Sequence, residues 1–423
     1  MASKLFLVEN PNYCKSGIKS YVHLIRKYRL HPTRNGPYSI GRAIHQTGRP
    51  FTDKPVGGRV RFHDVMRKQT SDDEFKQVEK DDIQNDAVFF MPVSIGTPAR
   101  TLNLVLDTAS ADFWVRSSEL PADTLPKGGE ESHTFDPKKS STFKDIEDSP
   151  WKVSYVDGSS VSGTIGTEDI TIGGAAFKAQ PVQLAKTMSP MFTQFSADGV
   201  LGLAFGHINH PQEDIKALAE RLNIRDNLEQ SAKLFTVKLG SWGDSDLKKP
   251  FYTFGSIDED AVRYCGHDVH HTPIDNSRGY WMFESPSATV GGKAMNRSEN
   301  KAVVDTDAAL TLLDDQTCQA IYDSIPGARY DIESQGFLIP SDVNIGQLPV
   351  VQLAVGDKSF VMSKESLMFD EVKPGYVYGG VQSRGSLEFD ILGGTFLDGL
   401  YAVSCMLQTS LVCSSNRTNG IDI

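Results

Sequence analysis

Cysteine is scarce in this chain: Cys14, Cys265, Cys318, Cys405 and Cys413 are the five in 423 residues. An odd count leaves at least one unpaired, and so few cannot frame a fold with disulfides. Free buried thiols and a reducing compartment are the expectation. Long apolar runs are also missing. No stretch approaches the ~20 residues that a membrane-spanning helix needs, so no membrane partner is expected. Between Met1 and Ser20 the apolar run Leu5-Phe6-Leu7-Val8 is broken by Glu9, Asn10 and Pro11, too short for the core of an export signal. This predicts a cytoplasmic protein; a mis-assigned amino terminus would instead allow a secreted or vacuolar one. Basic charge is not in excess: 43 Lys and Arg face 54 Asp and Glu, for a net charge of -11. With the cations scattered, nucleic acid is excluded as the main partner. Helical periodicity is rare, and only Asp214 to Leu222 and Asp315 to Ser324 read as short helices. The histidines His207 and His210, and His267, His270 and His271, lie near one another without a ligand pattern that compels a metal. No metal and no cofactor are expected.

What the chain does contain is many short strand-like runs punctuated by Gly, Asn and Asp, such as Asp169-Ile170-Thr171-Ile172-Gly173-Gly174. They predict a mainly β architecture. One segment is written twice. Leu104-Val105-Leu106-Asp107-Thr108-Ala109-Ser110 is matched about two hundred residues later by Ala302-Val303-Val304-Asp305-Thr306-Asp307-Ala308. Each copy is an apolar strand running into Asp-Thr. Each is followed by an apolar-Leu-Gly step, Val200-Leu201-Gly202 and Ile391-Leu392-Gly393. A half-site repeated with one aspartate per copy predicts two lobes that bring two carboxylates together. Such a pair cannot ionise twice at low cost, so it shares a proton and can serve as base and acid in one cycle.

These motifs, with Phe89 to Pro98, Asp107 to Val115, Trp151 to Ser159 and Asp198 to Phe205, resemble the pepsin-like aspartic endopeptidases, in particular the fungal penicillopepsin and aspergillopepsin branch. The resemblance runs from about Ala87 to about Tyr401 and implies a bilobal β fold with the active-site cleft between pseudo-symmetric lobes. By it, residues 1–84 form a pro-segment-like leader ending in a charged linker, 85–257 the first lobe and 258–423 the second. Asp107 and Asp305 stand as the catalytic pair that holds one water. Thr108 and Thr306 stand as the residues that lock the two loops, and Ser110 as a hydroxyl serving the first carboxylate. Tyr155, Asp157, Gly158 and Ser159 fall on the flap that closes over a peptide or protein substrate. The stretch Leu24-Ile25-Arg26-Lys27-Tyr28-Arg29 resembles the basic pro-segment that neutralises the acidic cleft until low pH breaks the pairs. Both half-sites lie on one chain, so a monomer suffices.

The chain also departs from that pattern. Ala109 and Asp307 replace the Gly that usually follows each Asp-Thr, Ala308 replaces a Ser or Thr, and Val156 replaces a flap Gly. Ala109 is strained if its site needs glycine-like dihedrals, Asp307 adds bulk, Ala308 forgoes a hydroxyl bond to the second carboxylate, and Val156 should stiffen the flap hairpin. A third carboxylate at Asp307 should raise the pair's pKa values. After Tyr401-Ala402-Val403 the carboxy terminus does not complete the family's last strand, which predicts an altered or missing closing strand. Three functions stay open on this reading: a working, if slowed, endopeptidase; an intracellular relative repurposed in a fungal secondary-metabolite pathway to act on a small molecule; and an inactive peptide-binding pseudoprotease.

Overall fold

A computed structural model describes residues 4–44, 62–69, 75–77, 88–125, 133–155, 157–190, 192, 195–205, 234–240, 245–265, 270–405 and 410–415. The predicted helix at Asp214 to Leu222, the flap residue Val156, and His207, His210 and His267 lie outside them. The fold is mainly β, as the alternating runs imply. An eight-stranded sheet carries the first aspartate, and a five-stranded sheet carries the second. A six-stranded sheet joins Leu234–Lys238 and Phe251–Phe254 to His270–Pro273, Leu400–Cys405 and Ser410–Ser415, so it crosses the expected lobe boundary.

The two half-sites are built alike. Arg100–Asp107 runs parallel to Gly199–Gly202, with Leu104 beside Gly199 and Asp107 beside Gly202. Lys301–Val304 runs parallel to Phe389–Leu392, with Val304 beside Leu392. The Leu-Gly steps are required by contact. A Cβ on Gly202 would lie 2.4 Å from the Ser110 carbonyl oxygen, and one on Gly393 would lie 2.2 Å from that of Leu310. Only glycine lets each aspartate loop fold onto its supporting strand. The predicted helix after the second loop forms over Asp315–Asp323, with the Asp314 side chain capping it at the Thr317 N–H.

Two expectations are corrected. The closing strand is present: after Leu400–Cys405, which pairs with Leu234–Lys238, Ser410–Ser415 turns back to pair with it and with His270–Pro273. The ladder is made by the backbone, so an atypical side-chain pattern does not prevent it. The charged stretch after Arg67 is not wholly linker either. Phe62–Gln69 pairs with Tyr38–Ile44 and with Phe75–Gln77, and Met66 is buried. Among the thiols, Cys14 is free and exposed, while Cys318 is free and buried. Among the described residues no helix is long and apolar enough to cross a membrane.

The leader is woven into the body. Leu5–Phe6 adds to the edge of Phe251–Phe254, and Val8–Glu9 pairs with Phe89–Ile95. Helix α1, Gly17–Tyr28, then lies across the cleft. Ser16 caps its start by accepting the Lys19 N–H, and Arg29 ends it in the left-handed conformation. Of its buried residues, Gly17, Ser20, Tyr21, Leu24 and Ile25 repeat at helical spacing on one face, and Val22 is buried as well. That face packs on the second lobe against Leu310, Leu338, Tyr378 and Ile391. Gly17 is needed there, because a Cβ would lie 2.2 Å from the Tyr378 ring. A helix this short is marginal alone, so the lobe holds it folded.

Candidate active site

Each aspartate is delivered by a strand end and fixed by its own loop. The Ala109 N–H donates to Asp107 Oδ1 at 2.8 Å. On the other side, the N–H groups of Asp307 and Ala308 donate to Asp305 Oδ1 at 3.0 and 3.2 Å. Ala109 and Asp307 are not strained. The non-glycine residues with positive φ among those described are Arg29, Asp148, Ala179 and Gln335. The loop therefore does not demand glycine dihedrals, and the amide at each replaced glycine still serves its carboxylate. The two loops are cross-linked by their threonines. The Thr108 N–H donates to Thr306 Oγ1 at 3.3 Å and the Thr306 N–H to Thr108 Oγ1 at 3.1 Å. Each hydroxyl then donates across the interface, Thr108 to the Val304 carbonyl at 2.8 Å and Thr306 to that of Leu106 at 2.9 Å.

One ammonium ties the carboxylates together. Lys27 Nζ lies 3.0 Å from both oxygens of Asp107, 2.9 Å from Asp305 Oδ2 and 3.2 Å from Asp307 Oδ2. The Tyr28 hydroxyl donates to Asp305 Oδ2 at 2.7 Å. Burial raises the Asp107 carboxyl, Lys27 draws it back and the Asp305 and Asp307 charges push it up, to about 7. Burial would also raise Asp307, but Lys27 and His23 outweigh that and hold it well below the usual carboxylate range. The third carboxylate is thus not protonated beside the other two, because α1 supplies cations for it. Burial would depress Lys27, yet Asp107, Asp305 and Asp307 together raise it well above lysine's usual value. The Ser110 hydroxyl does not reach Asp107. It is buried with no hydrogen-bond partner among the described residues, while Lys27 and the Ala109 amide meet the carboxylate's oxygens.

The flap is the hairpin of Lys144–Ser154 and Ser160–Ile172. At its tip the Gly158 N–H donates to the Tyr155 carbonyl at 3.0 Å, with Gly158 at φ 82°. Asp157 braces the turn by accepting the Ser159 N–H at 2.8 Å and its hydroxyl at 2.6 Å. The Arg26 guanidinium fills the space beneath. It lies 3.9 Å from the Tyr155 ring centre and pairs with the fully buried Asp157 Oδ2 at 2.7 Å. Burial raises the Tyr155 phenol to about 12, so it remains a donor. Behind it Trp114 packs with Phe192 and Phe195, centroids 6.3 and 5.7 Å away.

A two-lobed β fold whose paired strand-ends bring Asp107 and Asp305 to one cation agrees with the comparisons. The model of the eukaryotic aspartyl protease family matches residues 88–409. The chain belongs to the eukaryotic aspartyl protease family. It is 33% identical to aspergillopepsin-1 of Aspergillus oryzae over 320 residues, 75% of this chain and 76% of that protein. It is 33% identical to penicillopepsin-1 of Penicillium janthinellum over 322 residues, 75% of this chain and 92% of that protein. Penicillopepsin-1 of Penicillium rubens is 32% identical over 325 residues, 76% of each chain. By family the chain is a hydrolase of the aspartic-endopeptidase kind, and its helix α1 reaches between the two aspartates. Sequence reasoning missed His23 as a partner of Asp307, 3.3 Å away. The available signal was its position four residues before Lys27, on the same helix face.

Proposed function

We propose that this chain hydrolyses peptide bonds in a polypeptide substrate, with Asp107 and Asp305 sharing one proton and activating a water between them. One observation carries the reading: Lys27 Nζ, at about 3 Å from both carboxylates, occupies the place that such a water would take. The ionised aspartate would take a proton from the water as it attacks the scissile carbonyl, and the protonated one would donate to the carbonyl oxygen. The Asp107 carboxyl, raised to about 7 by burial and by the neighbouring Asp305 and Asp307 charges, holds a proton readily. Tyr155 and the Asp157-Gly158-Ser159 turn would close over the substrate. Metal and nucleic acid have no part in this scheme, and a monomer is sufficient.

The unstrained loops at Ala109 and Asp307, with their amides still on the carboxylates, favour a working dyad over a pseudoprotease or a small-molecule enzyme. Ala308 leaves Asp305 without a hydroxyl on that side, which removes a charge-assisted bond of about 1.5–3 kcal/mol and fits a slower enzyme. In the described state α1 excludes substrate. A lock of Lys27, Arg26 and His23 on carboxylates weakens in acid. That favours action in an acidified or external compartment, secreted or vacuolar, over the cytoplasm. The test is cleavage of a quenched peptide library from pH 3 to 7.5. Cleavage that rises in acid and is blocked by pepstatin is expected. Folded, acid-treated protein that cuts nothing at any pH would overturn the proposal and send the search to small molecules.

A further inference from the structure

We propose that Asp307 makes the cleft prefer substrates with a lysine or arginine at the subsite beside the second aspartate loop; this rests on the endopeptidase reading above. A cavity of about 460 Å³ lies beside the second aspartate loop, where Asp307, Ala308, Ala309 and Tyr252 line it together with the further carboxylates Glu365 and Asp398. The carboxylate is mostly covered, with 13% of its side chain exposed. Both partners it meets, the Lys27 ammonium at 3.2 Å and the His23 imidazole at 3.3 Å, belong to α1. When α1 leaves, Asp307 loses both at once.

The Lys27 position lies between the catalytic carboxylates, where the reaction needs its water. The His23 position does not. His23 approaches Asp307 one helical turn before Lys27, at 3.3 Å, so a substrate cation can take that place without blocking the dyad. A neutral side chain laid over Asp307 would cover a carboxylate without pairing it, which is costly in a dry site. A lysine or arginine offers an apolar stem for the cavity wall and a charged tip for the carboxylate. The replacement of the family's small residue by Asp307 therefore adds selectivity, not only charge repulsion. Asp157, which meets Arg26 beneath the flap, faces a different part of the substrate.

The test uses the full chain activated in acid and peptides in which Lys, Arg, Gln, Met or Glu is placed at each position around the cleaved bond. At one position kcat/KM for Lys or Arg should exceed that for Gln or Met by roughly ten- to a hundredfold, the worth of one charge-assisted contact. Asp307→Asn should bring that ratio close to one, and Asp307→Glu should keep most of it. The position whose preference Asp307→Asn abolishes is the assigned subsite, whatever Asp157 selects elsewhere. The same peptides with a reduced, uncleavable central bond, titrated by calorimetry, read the preference without turnover. A chain that cuts nothing but binds the lysine peptide through Asp307 would sink the endopeptidase reading and keep this one. Equal ratios in wild type and Asp307→Asn, by cleavage and by binding, would overturn the inference.

Discussion

Replacing Lys27 by Met keeps most of the side chain's length and removes its charge from among three carboxylates. The ammonium is 12% exposed and Asp305 is fully buried, so water does not screen the change. Removing one partner from a buried ion pair costs about 3–5 kcal/mol. That is roughly two to nearly four orders of magnitude in the ratio of docked to free α1. The cost should depend on pH. The Asp107 pKa is raised from 3.8 to about 7, so below about 7 this carboxyl is protonated and Lys27 faces fewer charges. As pH rises through 7, Asp107 ionises and a missing cation costs more. Lys27 itself lowers Asp107, so in Lys27→Met the carboxyl should hold its proton to still higher pH. The assay is cleavage of a quenched peptide by freshly purified, unprocessed chain between pH 5 and 8, with bound pepstatin counting open sites. Lys27→Met should bind pepstatin and cut peptide where wild type is silent, with the difference in pepstatin binding widening toward pH 8. A variant as closed as wild type across this range, yet active after acid treatment, would refute the claim that the ion cluster holds α1.

Asp307→Asn should release α1 at higher pH than wild type. The Asp307 pKa is depressed, so its share of docking is full above the usual carboxylate pKa and lost only as pH falls through the depressed value. Removing it should move the midpoint of acid activation up by roughly one to two pH units, read by activity after stepped pH jumps. Thr306→Val deletes the donor to the Leu106 carbonyl and the acceptor for the Thr108 N–H. It should cost about 1–3 kcal/mol in denaturant unfolding and lower kcat more than it raises KM. The fully buried Arg116 guanidinium donates to the carbonyls of Ala197, Thr124, Phe192 and Phe195. Arg116→Met should orphan these carbonyls, cost at least ~3 kcal/mol, and speed proteolysis of the segment around Phe192. Unchanged unfolding would argue against its role as a pin.

The duplicated Asp-Thr segments and their Leu-Gly steps were legible because local chemistry demands them: a carboxylate at a strand end, and a glycine where a Cβ would strike the loop. The consequences of the substitutions were harder to read. Strain at Ala109 and bulk at Asp307 were expected from residue type, but the loop backbone there avoids positive φ. The expected rise from a third carboxylate is seen at Asp107, which Asp305 and Asp307 push up, but the sequence does not say which partners arrive beside Asp307 itself, where Lys27 and His23 hold the carboxyl down. The Arg26-Lys27-Tyr28-Arg29 run signalled basic character. Helix phase, visible only once α1 is built, sends Lys27 and His23 to the aspartate loops and Arg26 to the flap. The Ser110 hydroxyl was assigned to Asp107 by position, yet the docked Lys27 competes for the same oxygens. The closing strand was discounted on side-chain pattern, while the backbone ladder and the Tyr401 hydroxyl, accepting the Asp258 N–H at 2.8 Å, secure it.

The most direct test of the central claim compares Asp107→Asn, Asp305→Asn and wild type, all acid-treated and all shown to be folded, on one quenched peptide near the pH of fastest cleavage. Asp107 and Asp305 acting as one proton-sharing pair predict that either substitution alone removes nearly all turnover, by at least roughly 10²–10⁴-fold, while peptide binding persists. Either variant cleaving at close to the wild-type rate would contradict the account.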